Sequence, residues 1–411
     1  MIKIEMKNID IIKDSHEEYI KKTVEKKINW YNIFEFDLNE TNKEKNDILA
    51  FINNTLKKNL YTITLEELNK EMIKSISYEY RKLESYELFS KEERENVKDV
   101  VSIIDEYIKF IENLKGRDSV EEREMKYLEL CRIVSDTYKN IKIKEFFNKN
   151  INFNNKSHIL KKIKKLKEFI EKNNEIKNMK GIVEYIFDYD KFNKGTEGWS
   201  RHRFMYLLGI NVCPYCNRNY ITNYLDDKGE RTTADLDHFY CQKQYPYLAL
   251  SIYNFIPSCQ ICNSRFKGTE DFFEKEHIYP YEESFSKDVV FKTILNENST
   301  LDYMLGKNTN FDIKINITTE DKHKKEKIKN SIGTFRLDHL YKMEKEYVRE
   351  VIQKSRIYND EEVKKLLNIK RLFSSDEEIK KTIFGTDMDE ESLHKKPLSK
   401  LTRDIFEEFT I

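Results

Sequence analysis

Four of the chain's six cysteines fall into two pairs, Cys213-Pro-Tyr-Cys216 and Cys259-Gln-Ile-Cys262, with 42 residues between them. One such pair is ambiguous, because it is also the pattern of a thiol redox site, in which the first cysteine opens a helix after a strand. Two pairs supply four thiolates for one tetrahedral Zn²⁺, and redox chemistry has no use for the second. Structural zinc held by Cys213, Cys216, Cys259 and Cys262 is therefore the expectation. Cys241 is unpaired and reads as a bystander. Cys131, inside the helical pattern YLELCRIV, reads as a small buried hydrophobe.

Between and beside the knuckles stand Asp237, His238, Asn254 and Asn263. Asp and Asn offer hard oxygens that suit Mg²⁺ or Mn²⁺ and not a thiolate site, so two metals of different character are implied. A hard ion held by only two protein oxygens keeps positions open for water and for phosphate oxygens. His238 is the adjacent group whose ordinary pKa lies near neutrality, so it could deprotonate a water attacking phosphorus. On a regular strand Asp237 and His238 face opposite sides, so a shared ion requires a bulge or a strand end there. Lys267 and Arg265 follow on the same helical stretch as candidates for backbone phosphates, against the plainer reading of surface charge. His277, in HIYPY, is an outside candidate for a further contact.

The order Asp-His, Asn, Cys-x-x-Cys-Asn, then Lys267-Gly268 resembles the HNH, or ββα-metal, endonucleases with an embedded zinc knuckle. The resemblance covers about 212–268. It implies Asp237 and Asn263 as metal ligands, His238 as general base, and Asn254 as the residue that braces the loop through backbone hydrogen bonds. Asn263 stands where many members carry a third histidine. The setting DHF, YP, NFIPSCQICNSRFKG and the later FRLDHLY is similar to HNH nucleases of bacterial anti-phage systems, including the Septu type that works with a P-loop ATPase. The chain departs from that pattern at Tyr240-Cys241-Gln242-Lys243, where a Pro-Lys is expected. The resemblance implies cleavage of nucleic acid, with DNA favoured over RNA, under the restraint of a partner.

The elements around these residues divide the chain in three. Residues 1–195 read as a helical domain: VKDVVSIIDEYIKFIENL sets Val100, Val101, Ile104, Tyr107, Ile108, Ile111 and Leu114 on one stripe that ends at Gly116. In 156–180, nine lysines face three glutamates while Ile159, Ile163, Leu166 and Ile170 share a face, which favours a solvated lysine face over a phosphate patch. Residues 196–318 form the module, with short β-type runs at NYITNYL, a turn at DDKG, TTADLDHFY, VVFKTIL and FDIKINIT. PSCQICNSRFK is expected to be its helix, with Pro257 in the first turn. Residues 319–411 read as helical, with SSDEE and DMDEES as solvated loops. The fold class expected is α+β, mostly α, with a zinc-stapled ββα module at the centre.

Composition bounds the rest. Lys and Arg number 73, as do Asp and Glu, so any nucleic-acid surface is local and not global. With 39% apolar residues the chain can fill several cores. Its longest nearly apolar run, YPYLALSIYNFI, is about half a bilayer span, and MIKIEMKNIDIIKD lacks a signal-peptide core, so a cytoplasmic protein without membrane contact is expected. The rival to an endonuclease is a zinc-knuckle nucleic-acid-binding or scaffold protein without catalysis. Zinc alone makes no demand for Asp237, His238 and Asn263.

Overall fold

The computed structural model describes residues 1–27, 70–83, 95–114, 120–138, 151–175, 179–195, 198–227, 229–297, 299–358 and 373–410, with isolated positions at 47, 50–55, 61, 67, 362 and 365. Gly116 lies outside the described residues. The chain is α+β, mostly helical, and separates into two compact units, Glu18–Asp188 and Met1–Glu17 with Tyr189–Ile411.

The Glu18–Asp188 unit is helical. After α1 (Ile9–Ile20) it contains α2 (Lys70–Leu83), α3 (Val97–Asn113), α4 (Val120–Tyr138), α5 (Lys156–Glu175) and α6 (Met179–Ile186). The stripe on α3 behaves as its spacing requires: Val100, Ile104, Tyr107, Ile108 and Ile111 are buried, and Val101 and Leu114 half-buried. On α5, Ile159, Ile163, Leu166 and Ile170 are buried. Two of its lysines meet acids of α3, Lys167 with Asp105 at 2.7 Å and Lys164 with Glu112 at 3.0 Å. At this exposure each such pair is worth about 0–1 kcal/mol.

In the other unit α7 (Tyr189–Lys194) and α8 (Arg201–Leu208) lead into the hairpin β1 (Asn223–Asp226) and β2 (Gly229–Thr232). Gly229, at φ +105°, opens β2 in backbone space closed to other residues. A second antiparallel pair joins β3 (Asp235–His238) to β4 (Phe255–Ser258), in the register Asp237 with Ile256 and His238 with Phe255. A seven-residue π-helical segment, Ile261–Lys267, follows. The third pair is β5 (Val289–Ile294) with β6 (Asp312–Ile317), and the unit closes with α9 (Lys322–Thr334), α10 (Leu337–Tyr341), α11 (Lys345–Ile357), α12 (Asp376–Phe384) and α13 (Ser399–Phe409).

Three expectations change. The C-terminal helices are not a separate region: Asp404 of α13 accepts the Phe291 amide of β5 at 3.0 Å, and the chain's first residues join the same unit through Ile2 N to Pro214 O at 3.0 Å. Pro257 is not in a helix but in β4, opposite Leu236; a two-stranded sheet is all edge, where a residue without an N–H fits. SSDEE is no loop: Ser375 caps α12 by accepting the Glu378 amide, and Asp376, Glu377 and Glu378 fill its first turn, where the helix dipole favours acids.

Candidate metal centre and the histidine beside it

The four cysteines meet. Their sulfurs all lie within 4.8 Å of one another and all four residues are buried. A tetrahedral Zn²⁺ with bonds of about 2.3 Å places its sulfurs about 3.8 Å apart, so the group could hold a metal ion such as zinc. The surrounding donors suit thiolates: Asn219 Nδ2 donates to Cys259 Sγ at 3.2 Å and the Arg218 amide to Cys216 Sγ at 3.4 Å. Hydrogen bonds from the other three thiols, then burial's opposing effect and the Asn219 amide, leave the Cys259 thiol far below its ordinary pKa. The first knuckle turns at Asn217, whose φ of +50° is left-handed. Its amide is held in that strained position by three partners, Leu393 O, Ser399 Oγ and the Lys400 amide. Cys241 is buried outside the group, and burial pushes the Cys131 thiol up to about 12, so neither enters the chemistry.

His238 ends β3 with its ring turned into an aromatic wall, 4.6 Å from the Tyr189 ring and 5.3 Å from Phe255, both edge-on. Its Nε2 lies 3.0 Å from Ala249 O. A carbonyl only accepts, so Nε2 carries the proton and Nδ1 keeps the lone pair. Burial lowers its pKa to about 4, against the Ala249 bond, which raises it.

The Ala249 carbonyl belongs to a run of three that side chains fix one after another. Asn254 Nδ2 donates to Leu248 O at 3.3 Å, His238 to Ala249 O, and His16 Nε2 to Leu250 O at 2.7 Å. Asn254 also exchanges bonds with the Tyr240 backbone, accepting from its amide at 2.7 Å and donating to its carbonyl at 3.1 Å. Asn254 thus ties the Tyr240 backbone to the Leu248 carbonyl. His16 is the third brace, and Trp199 Nε1 donates to its Nδ1 at 3.0 Å.

Asp237 faces the other way, as neighbours on a strand must. Its Oδ2 accepts from the Tyr215 hydroxyl at 2.7 Å and its Oδ1 from Lys267 Nζ at 3.0 Å. Lys267 also donates to His238 O at 2.6 Å. This corrects two expectations. Lys267 is not an exposed phosphate contact; it is buried, because the π segment's wider turn carries its side chain back under β3. Nor do Asp237 and Asn263 present two free oxygens to one hard ion: the ammonium already neutralises Asp237, and Asn263 Nδ2 turns to Asp235 Oδ2 at 3.1 Å. As arranged, the pair does not fit Mg²⁺ or Mn²⁺. Arg265 is exposed, with no hydrogen bond or ion pair among the described residues. His277 stacks on Phe272 and bonds Thr334.

No family model, no curated protein and no solved structure matches the chain. Besides His16, three residues of the site were missed in the sequence. Asp235 was legible, since it lies two before Asp237 and shares its strand face. Tyr215 sits between the first two cysteines, but nothing in the spacing directs its hydroxyl to Asp237. Tyr189 carried no signal.

Two expected results follow. Lys267→Met leaves the Asp237 carboxylate buried against Tyr215 alone, and Asp237→Asn leaves the ammonium unpaired; each costs about 3–5 kcal/mol, while the double variant costs less than the sum. Urea unfolding tests it, and single variants within about 0.5 kcal/mol of wild type contradict it. The second concerns acid. His16, also lowered to about 4 by burial, and His238 are neutral in the folded chain, whereas unfolded histidine titrates near 6.5. Stability is complete above 6.5 and falls as pH drops from 6.5 toward 4, by about 2 kcal/mol for each histidine at pH 5. Fluorescence of buried Trp199 follows the unfolding, and a urea midpoint unchanged between pH 7 and 5 contradicts it.

Proposed function

We propose that the chain is an HNH-type endonuclease that hydrolyses phosphodiester bonds of nucleic acid, DNA in the first instance. The observation that carries the reading is the His238 imidazole. It is neutral, its tautomer is fixed by Ala249 O, and it ends the strand of a hairpin whose following segment bears two of the four clustered cysteines. Nδ1 is then the atom that takes a proton from an attacking water or hydroxyl. The Asn254 brace keeps the Nε2–H on its carbonyl, so no tautomer change disarms the base. With a pKa near 4 the base is always unprotonated at neutral pH but weak, so orientation and not basicity is its contribution. Exposed Arg265 on the segment after Cys262 suits a backbone phosphate.

Mg²⁺ or Mn²⁺ belongs to the same reading by resemblance alone, and since Lys267 stands on Asp237, no step is assigned to it. An anti-phage role and a restraining partner, a P-loop ATPase by the Septu-like resemblance, likewise rest on the residue pattern, as does a cytoplasmic setting; among the described residues no helix is long and apolar enough to cross a membrane. The second reading is a zinc-knuckle binding or scaffold protein, favoured by the satisfied Lys267–Asp237 pair, which a purely structural module would show. Incubating the purified chain with plasmid, single-stranded DNA and total RNA, each with Mg²⁺, Mn²⁺ or EDTA, separates them. Cleavage that is abolished with His238 supports the nuclease; binding without cleavage under every condition supports the rival.

A further inference from the structure

The two edges of the β5–β6 hairpin differ. On β5 every amide that points away from its partner strand is capped: Val289 N donates to Phe285 O at 3.1 Å, Phe291 N to Asp404 Oδ2 at 3.0 Å and Thr293 N to the Glu408 carboxylate at 3.0 Å. Their cross-strand neighbours on β6 are Ile317, Ile315 and Ile313, whose backbone groups must point outward too. Among the described residues these three make no hydrogen bond on that side. An unpaired strand edge is a template for another strand.

Beside the edge runs an open groove of about 520 Å³. Ile313, Ile315 and Ile317 line it from one face of β6 and Lys314 from the other. Alternate residues of a strand face opposite sides, so a cavity touched by both sets lies along the edge itself. Ile332 of α9 forms the far wall, and Lys314, Lys329 and Lys342 rim it against one acid, Asp338. All three lysines are exposed, and neither Lys314 nor Lys342 forms a salt bridge among the described residues.

We propose that the β6 edge docks an extended segment of a partner protein in which acidic and apolar residues alternate. The segment adds a third strand: its backbone satisfies the outward groups of Ile313, Ile315 and Ile317, its apolar side chains cover the isoleucines, and its carboxylates meet the lysine rim. Spanning those three positions takes about five residues at roughly 3.3 Å each. Edge lysines also serve simply to keep strands apart. A merely protective edge needs no apolar groove beside it, and on β5 the chain shows that it blocks an edge by capping the amides.

The test uses the full-length chain and fluorescein-labelled six-residue peptides of alternating valine and glutamate, with two controls: lysine in place of glutamate, and the acidic peptide N-methylated at every second amide. Anisotropy is expected to show saturable binding of the acidic peptide, at least tenfold weaker binding of the lysine peptide, and loss on N-methylation. A Lys314→Glu/Lys342→Glu variant, both at exposed positions, should reverse the preference. Shifts confined to the amides of Ile313, Ile315 and Ile317 in isoleucine-labelled spectra should locate it. No binding of the acidic peptide at millimolar concentration, or binding that survives N-methylation, overturns the proposal and leaves β6 an edge guarded by lysine.

Discussion

Cys259→Ser is expected to unfold the Met1–Glu17 and Tyr189–Ile411 unit outright. Structural zinc in a four-thiolate site contributes on the order of 10 kcal/mol at neutral pH, as much as a whole domain's net stability of about 5–15 kcal/mol. Cys259 is also the sulfur that Asn219 supports. The wild-type chain should carry about one zinc through gel filtration, and Cys259→Ser should lose both the metal and the near-ultraviolet signal of the buried aromatic residues. Cys241→Ser, outside the cluster, should keep its zinc. A metal-free wild type that melts cooperatively, or a Cys259→Ser chain that melts like it, rules the zinc site out.

The second large effect is on cleavage. Under the nuclease reading, His238→Ala removes the proton acceptor and should reduce the rate by about 10²–10⁴-fold. Zinc content should be untouched, because His238 is not among the four sulfur ligands. Stability should nonetheless fall by about 1–3 kcal/mol, since Ala249 O is left buried without its donor. Asn254→Ala loosens the loop that orients the base and should slow cleavage with a similar structural cost, whereas Arg265→Ala should weaken nucleic-acid binding without a stability change. Undiminished cleavage per folded molecule in His238→Ala would mean that the imidazole serves only as a loop brace.

Much of the scaffold was legible because it depends on spacing. The α3 stripe follows from the helical period, the β1–β2 turn from Gly229, and the four-cysteine group from the repeated Cys-x-x-Cys. The site was less so. The run Ile261–Lys267 suggests an α-helix with Lys267 outward; the Gly268 amide instead reaches back five residues to Asn263, and that wider turn buries the lysine. His16 carries no sequence signal because its partners, Leu250 and Trp199, lie far along the sequence. The cap at Ser375 was written in the local text, serine followed three residues later by glutamate, but its acidic run resembled a solvated loop.

The clamp on Asn217 constrains how the chain can be born. A ribosome releases the first knuckle long before it has made Leu393, Ser399 and Lys400, the groups that hold Asn217 in its left-handed turn. At about 5–20 residues per second, some ten seconds or more separate the two events. During that interval the cysteines exist without the clamp that shapes their turn, and any metal they capture is held by an unfinished knuckle. The turn of the first Cys-x-x-Cys pair is therefore completed by the last helix, and a chain interrupted before α13 retains all four cysteines but lacks the Ser399 and Lys400 contacts to Asn217.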